Sequence, residues 1–479
     1  MRKILSCALG AIILLGSAGL AACGEKVPRA RYTLHGEYFP EERKLCAEMT
    51  VVVPNGTDTA LDSLSFSLWP NAYREGATYA PVSELYASAA YYAGKSYGGI
   101  LVQSVTGGAG YEVCGEDENI LSVTLEKPLY PDECVELNIG FEVTLAQINH
   151  RLGVGEHAVN LANFYPVLCA RGENGFLEYV YSCNGDPFVS DCADYEVTLT
   201  FPEEYTAAFN GAGEVTAADG KKTAHVQAEN VRDVAFVLGK DFQTLTGDVN
   251  GVPVEYCYFA DESPETALKV AQQSIDYFGR TFGKYSYPRY VVVETDFPFG
   301  GMEYSGLAMI SSALRSEDVP AVVAHETAHQ WWYAMVGSNQ FENAWQDEGL
   351  AEYSSALFLG AHPEYGETYE EFVHRSESGY RAFFSVRAQV SGEADTGMNR
   401  PLTAFTGEYE YRNIAYDKGV IMFDRLRSVM GDRRFFGGLR EYFEDYSGKI
   451  ASPDELASCF GGAHVEELIR SFTDGKCVI

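Results

Sequence analysis

The spacing of apolar and polar residues changes character in the middle of the chain. From Tyr32 to about Phe242, short segments such as AEMTVVVP and DYEVTLTFP alternate apolar with polar residues or are rich in β-branched side chains. Asn-Gly, Pro-Asp and glycine-rich turns separate these segments. A period of two residues is typical of strands with one buried face. This half therefore predicts an antiparallel β domain, which we assign to residues 31–243.

The second half has the spacing of helices. Apolar residues between Pro264 and Phe282 recur at intervals of three and four, and nearly everything beyond Ser316 repeats this period. The segment RYVVVETDF, which lies between these two stretches, predicts a strand. We therefore expect a multidomain protein whose second domain, residues 244–479, is α+β and mainly helical.

The N-terminus carries a separate apolar run, Ile4–Leu20, behind a short positive start. The run is short for a membrane span and is followed by the sequence LAAC, which ends at Cys23 and resembles a bacterial lipobox. Residues 1–22 therefore predict a signal peptide and residues 23–30 a lipidated tether. We expect an exported protein anchored to the outer face of a bacterial membrane. The alternative is ordinary cleavage after an Ala-x-Ala-like site, with Cys23 there by chance.

Charge and cysteine content fit export. The formal net charge is −33, which repels polyanions and excludes nucleic-acid partners. This charge either attracts cationic substrates or keeps an exported protein soluble. Removing Cys7 and Cys23 from the eleven cysteines leaves nine. We expect disulfides, of unknown connectivity, somewhere among six cysteines of the β domain: Cys46, Cys114, Cys134, Cys169, Cys183 and Cys192.

One apolar stretch, VVAHETAHQWW, contains candidate catalytic chemistry. His325 and His329 are four residues apart on a helix that we expect to begin near Ser316 and to stop at Gly337. Residues at this spacing share a helix face, so both imidazoles can bind one metal ion, with Glu326 beside them as a base for water. A metal would explain polar groups in an apolar setting. The alternative is a purely structural histidine pair.

A catalytic zinc ion takes three protein ligands and keeps one position open. Glu348, nineteen residues after His329, is the candidate third ligand. Asn343 and Gln346 match a capping box, which predicts a second helix over 345–359 beside the first. Glu352 lies one turn beyond Glu348 and could hold a ligand imidazole from behind. Otherwise it is a surface glutamate.

Four motifs occur in a fixed order: Gly300-Gly301-Met302-Glu303, His325-Glu326-x-x-His329, Glu348 within Trp-x-x-Glu-Gly, and Tyr416-Asp417-Lys418-Gly419. Together they resemble those of the aminopeptidase-N-type gluzincin zinc metallopeptidases, which include alanyl aminopeptidases and the leukotriene hydrolase. The resemblance covers the region from Phe297 to Gly419 closely and the remaining mature chain loosely. It implies a saddle-like β sandwich followed by a thermolysin-like catalytic domain.

The resemblance also implies roles for individual residues. One Zn²⁺ ion per chain would be bound by His325, His329 and Glu348. Glu326 would be the general base, and Tyr416 would donate a hydrogen bond to the oxyanion. The substrate would lie against Gly300, Gly301 and Met302, with its free amino terminus on Glu303.

The chain departs from the family pattern in two places. Tyr304 stands where the motif usually has Asn, which puts the hydrogen bonding around the first substrate residue in doubt. The sequence ends 63 residues after Tyr416, so we expect no large C-terminal helical domain. That domain helps to enclose the cavity in longer relatives, and a strict restriction to short peptides is therefore in doubt.

The sequence thus predicts a zinc aminopeptidase that removes N-terminal residues from extracellular peptides. Two alternatives stay open. One is a thermolysin-type endopeptidase, which would use the same zinc centre without needing Glu303. The other is a lipoprotein that binds peptides without cleaving them and uses zinc only as a structural ion.

Overall fold

The computed structural model describes residues 29–392 and 394–475. The predicted signal peptide, the lipidation site Cys23 and residues 24–28 of the tether lie outside these ranges. Within them, no helix combines the length and apolarity needed to cross a membrane. A β-rich region comes first and a mainly helical region follows, and one buried apolar core runs through both.

The β-rich region is built from short strands: β1 (Arg31–Phe39), β2 (Lys44–Pro54), β3 (Leu61–Ser67), β4 (Gly99–Thr106), β5 (Gly110–Cys114), β6 (Ile120–Leu129), β7 (Cys134–Thr144), β8 (Leu152–Val154), β9 (Ala158–Ala162), β10 (Val167–Leu168), β11 (Arg171–Gly172), β12 (Gly175–Phe176), β13 (Ala193–Pro202), β14 (Thr206–Phe209), β15 (Ala212–Ala218), β16 (Lys221–Val231) and β17 (Ala235–Gly239). One short helix, α1 (Ala87–Ala90), interrupts them.

These strands form a seven-stranded sheet in the order β15-β16-β13-β1-β2-β7-β4 and two four-stranded sheets, β10-β3-β6-β5 and β14-β17-β9-β8. Strand β2 has the alternation expected of a strand with one buried face. Its alternate residues from Leu45 to Val53 are buried, and those between them are more exposed. Every pair in the large sheet is antiparallel except β1 with β13.

The second region opens with a five-stranded sheet, ordered β18-β19-β20-β22-β21, whose strands are β18 (Gln243–Val249), β19 (Val252–Tyr258), β20 (Tyr290–Thr295), β21 (Gly301–Tyr304) and β22 (Leu307–Ser311). The helices are α2 (Pro264–Thr281), α3 (Val319–Ala328), α4 (Glu348–Ala361), α5 (Tyr369–Ser391), α6 (Glu408–Arg412), α7 (Lys418–Met430), α8 (Asp432–Tyr446), α9 (Pro453–Phe460) and α10 (Ala463–Thr473). Strands β23 (Gly337–Ser338) and β24 (Ile450–Ala451) pair with each other.

Two helix boundaries differ from the prediction. Helix α3 ends at Ala328 and not near Gly337, because bonds spanning five residues replace the helical ones, starting with Ala334 N to His329 O at 2.9 Å. Helix α4 begins at Glu348, where the Asp347 side chain accepts the Glu348 N–H at 2.8 Å. The capping box proposed for Asn343 is therefore wrong, and residues 344–346 form a separate 3₁₀ turn.

The disulfide prediction is also wrong for the described residues. Five of the six cysteines of the β domain are free thiols, so no disulfide joins two of the six: Cys114, Cys134, Cys169, Cys183 and Cys192. Cys169, for example, is buried with its Sγ 3.3 Å from Ser67 Oγ. Cys134 is exposed, and its strand register places it opposite Pro54. The packing of this domain therefore rests on its apolar core and its strand pairing.

Candidate active site

Helices α3 and α4 bring the three predicted metal ligands together. His325 Nε2 lies 3.1 Å from His329 Nε2, and each nitrogen is 3.3 Å from Glu348 Oε2. Ligands bound to a tetrahedral zinc ion at about 2.0–2.1 Å would be separated by roughly 3.3 Å. All three residues are buried or nearly so. The three donor atoms therefore fit the size of a zinc site.

Hydrogen bonds at the Nδ1 atoms hold both imidazoles in the tautomer that leaves the Nε2 lone pair for a metal ion. His325 Nδ1 lies 2.9 Å from Glu352 Oε2, so Glu352 stands behind the imidazole of a candidate ligand. His329 Nδ1 lies 3.0 Å from the carbonyl oxygen of Trp332, which can only accept a hydrogen bond. Nδ1 therefore carries the proton in neutral His329, and the Nε2 lone pair points to the metal position.

Protons compete with a cation for these nitrogens. Burial lowers the pKa of His325, but hydrogen bonds with Glu348 and Glu352 outweigh it and raise the pKa well above its usual value. Burial likewise opposes the charge on His329, while Glu303 and Glu348 raise its pKa to about 9. Burial opposes ionisation of Glu348, yet its two histidine partners lower its pKa far below normal. Metal binding must therefore release protons.

Glu326 projects from α3 towards the edge strand β21. A Cβ atom on Gly301 would lie 2.5 Å from Glu326 Oε1, so only glycine leaves room for this carboxylate. The same construction at Gly300 meets nothing nearer than Val322 at 3.5 Å. Burial raises the pKa of Glu326 to about 8, and its Oε2 has no hydrogen-bond partner among the described residues. A carboxyl with a raised pKa suits a general base.

Strand β21 carries the predicted substrate residues. Because side chains alternate along a strand, Glu303 shares the face of Gly301, while Met302 and Tyr304 lie on the opposite face. Tyr304, which stands where the motif usually has Asn, therefore does not directly contact a substrate bound on the Glu303 face. Glu303 is 3% exposed, burial raises its pKa, and its Oε1 has no partner among the described residues.

A second set of possible metal ligands, Glu303, His329 and Asp347, overlaps the first, with its atoms within 4.8 Å of one another. His329 belongs to both sets, and its Nδ1 is engaged by a backbone carbonyl. Its single remaining nitrogen can bind only one ion. The separations of 3.1 and 3.3 Å fit one zinc ion and favour the set with His325 and Glu348.

Two tyrosines lie beside the metal ligands. Tyr416, in a π-helical turn over 413–417, stacks on His325 with ring centroids 5.6 Å apart, and burial keeps its phenol protonated by raising its pKa. Tyr411 was not predicted: its hydroxyl donates to Glu348 Oε1 at 3.3 Å. Its ring also packs edge-on against Tyr416, with centroids 5.6 Å apart. No motif in the sequence marks Tyr411 among 32 tyrosines.

The β-rich region also contacts residues around the site. The hydroxyl of Tyr86 donates to Glu408 Oε1 at 2.7 Å, and its ring packs against Phe299 at 5.0 Å. A Cβ atom on Gly185, where φ is +68°, would lie 2.5 Å from the Tyr411 hydroxyl. Both regions of the chain therefore enclose the site.

Sequence comparisons agree with this geometry. Residues 266–475 match the Peptidase family M1 domain. Aminopeptidase M1-B of Oryza sativa is 28% identical over 305 residues, which cover 59% of this chain and 34% of the relative. Human endoplasmic reticulum aminopeptidase 2 is 27% identical over 260 residues, which cover 50% and 26%. Leucine aminopeptidase 2 of Neosartorya fischeri is 24% identical over 292 residues, 58% and 46%. The matched part thus spans less than half of each relative.

Solved structures share the fold along nearly the whole chain. The M1 zinc metallopeptidase from Deinococcus radiodurans has a TM-score of 0.64 at 20% identity, with 94% of both chains covered. A point mutant of that enzyme bound to the substrate Tyr-Ser-Ala has a TM-score of 0.63 at 21% identity, covering 94% of this chain and 96% of the other. These likenesses confirm the predicted fold class, a β-rich domain followed by a mainly helical catalytic domain. The match to the Peptidase family M1 domain, residues 266–475, lies within the second of these domains.

Proposed function

We propose that this protein is a zinc aminopeptidase that hydrolyses the first peptide bond of substrates with a free amino terminus. One observation carries the proposal: Glu303, which keeps a buried oxygen without a partner among the described residues, has a carboxylate oxygen within 4.8 Å of a ring nitrogen of His329, one of the three residues whose donor atoms are spaced for zinc. A buried carboxylate without a partner is costly, and an ammonium group would stabilise it. The named relatives, all aminopeptidases, support this reading.

The distances suit removal of one residue at a time. One carboxylate oxygen of Glu303 and a ring nitrogen of His329 lie within 4.8 Å of each other. In an amino-terminal residue, the nitrogen and the carbonyl carbon are only about 2.5 Å apart, two bonds along the chain. An ammonium held by Glu303 would therefore place the first carbonyl group at the metal ligands.

His325, His329 and Glu348 would hold the zinc ion. When bound, the ion activates water and polarises the scissile carbonyl. Glu326 removes a proton from the attacking water and passes it to the leaving amine. The phenol of Tyr416 donates a hydrogen bond to the carbonyl oxygen as negative charge develops there. Tyr411 fixes the second oxygen of Glu348, which leaves Oε2 for the ion.

Two measurements test the activity. The first compares hydrolysis of an amino-acyl peptide with that of its N-acetylated copy. We expect cleavage of the free amine only. Equal rates would reject amine recognition and favour the thermolysin-type endopeptidase. The second measurement compares peptide hydrolysis by the wild type with hydrolysis by the Glu326→Gln variant. Peptide binding without hydrolysis by the wild-type, zinc-loaded protein would instead favour the non-catalytic lipoprotein.

We further propose that the enzyme acts outside the cell and is attached to the membrane by a lipid anchor at Cys23. The support is the apolar run followed by LAAC. Membrane fractionation and labelling with a palmitate analogue test the anchor, with Cys23→Ser as the comparison. We expect a labelled membrane protein that loses both the label and the membrane association in the variant. An unlabelled wild type in the soluble fraction would reject the anchor.

A further inference from the structure

The strand that carries Glu303 is held by the β-rich region. Strand β21 lies at the edge of its sheet and, among the described strands, pairs with β22 alone. Ser305, directly after it, makes three hydrogen bonds across the domain boundary. Asn210 Nδ2 donates to Ser305 O at 2.8 Å, Ser305 N donates to Asp233 Oδ1 at 2.9 Å, and Arg232 N donates to Ser305 Oγ at 3.1 Å.

The same residues also hold the segment after His329. The second carboxylate oxygen of Asp233 accepts the hydroxyl of Tyr333, which lies four residues after His329 in the turn that ends α3. Arg232 Nε donates to the carbonyl oxygen of Tyr333. Asp233 therefore contacts both segments that must be correctly spaced for catalysis, the strand of Glu303 and the turn after a candidate metal ligand.

This contact is buried and complete. Asp233 and Arg232 are 1% and 2% exposed, and each Asp233 carboxylate oxygen accepts a bond from a catalytic-domain residue. Shortening the side chain would leave the N–H of Ser305 and the hydroxyl of Tyr333 without their partner. Because a buried donor without a partner costs free energy, both groups would then shift towards new partners.

We propose that Asp233 is a positioning residue that sets the distance between the Glu303 carboxylate and the metal ligands, and through it the selectivity for a free amino group. The inference rests on the proposed aminopeptidase function. The amine and the scissile carbonyl of a substrate are only about 2.5 Å apart, so little error in this distance is tolerated. A displacement of about 1 Å can cost on the order of a hundredfold in rate.

A pair of inhibitors isolates this effect. An amino acid hydroxamate and its N-acetylated copy carry the same zinc-binding group, and the copy has a neutral acetamide in place of the ammonium. The inhibition constant of the acetylated copy, divided by that of the free hydroxamate, therefore measures amine recognition. In Asp233→Ala we expect this ratio to fall about tenfold to a hundredfold while the zinc content is unchanged. Asp233→Asn retains an oxygen acceptor for Ser305 N–H, and we expect it to restore most of the ratio.

A matched control separates positioning from general loss of stability. Asp117 is another buried carboxylate of the β-rich region, and it accepts the backbone N–H groups of Thr78 and Tyr79 at 2.8 Å. Asp117→Ala should lower the melting temperature and leave the ratio unchanged. If Asp233→Ala does not fold, Tyr333→Phe removes one of the two contacts by deleting a hydroxyl, and the ratio should fall by a smaller factor.

The outcomes are distinct. An unchanged ratio in Asp233→Ala, or in Tyr333→Phe where the alanine variant does not fold, overturns the inference. An equal fall in Asp117→Ala does so too. A ratio near one in the wild type rejects the proposed function itself, and the inference with it. A fall confined to the variants of Asp233 and Tyr333 supports it.

Discussion

The two sides of the site differ in how their polar atoms are satisfied. On the metal side, both ring nitrogens of His325 and of His329 and both carboxylate oxygens of Glu348 have a partner. Glu352 is the partner of His325 Nδ1. On the substrate side, Glu303 and Glu326 each keep one buried oxygen without a partner among the described residues. The metal side is thus held in place by the protein. The substrate side, in contrast, has bonding capacity that a substrate and a water molecule would use.

The largest expected effect comes from the substrate side. Glu326→Gln keeps the size of the side chain but removes the base, so we expect kcat to fall on the order of 10²–10⁴-fold. Zinc content should stay at one ion per chain, because the glutamate is not a ligand. Steady-state kinetics and metal analysis of the same preparation measure both. Activity within tenfold of the wild type would contradict the assigned role.

Tyr416→Phe should have the next largest effect. The loss of one oxyanion donor typically costs about 10²–10³-fold in kcat, with little change in KM. Tyr411→Phe is the matched comparison, since its hydroxyl contacts Glu348 and not the expected position of the carbonyl. A larger loss of kcat in the Tyr411 variant would reverse the two roles.

Glu352→Gln tests the metal side. Replacing a carboxylate behind a ligand imidazole typically weakens metal affinity about 10–100-fold. We expect such a change in the zinc dissociation constant, measured by competition with a chelator. When zinc is saturating, kcat should change little. If zinc affinity is unchanged, the contact at 2.9 Å does not support the ligand.

Proton competition predicts the most gradual effect, because it is spread over several pH units. The pKa of cation-free His329 is raised to about 9, so this imidazole binds a proton at pH 7 and zinc must displace it. Zinc affinity should therefore increase from pH 6 to pH 9, by about tenfold per unit for each proton released. Calorimetry in buffers of different ionisation enthalpy counts these protons. An affinity independent of pH would contradict the exchange.

Local spacing was enough to bring the two candidate histidine ligands together. A separation of four residues puts His325 and His329 on one face of any helix, whichever residue ends it. The end of α3 was nonetheless misplaced, because burial of Trp331 and Trp332 and the side-chain bonds of Gln330 to Tyr304 O and Gly306 N accompany the wide turn. Those partners are distant in sequence.

The start of α4 shows the same limit over a shorter distance. Asn343 has the right residue type and spacing for a cap, yet the Asp347 side chain makes the capping bond. Both residues match the statistical preference for N-caps. Only the packing of α4 beside α3, with Glu348 facing the histidines, selects between them.

The sequence by itself determined the two-part architecture, the candidate histidine pair and the candidate base beside it, since each depends on residue type and on a period of two or four along the chain. The tertiary structure alone decided three other features. They are the contact of Tyr411 with Glu348, the link from Asp233 to both catalytic segments, and the space that Gly301 leaves for Glu326. Each joins residues that are 25 to about 100 positions apart, and no local pattern records such a distance.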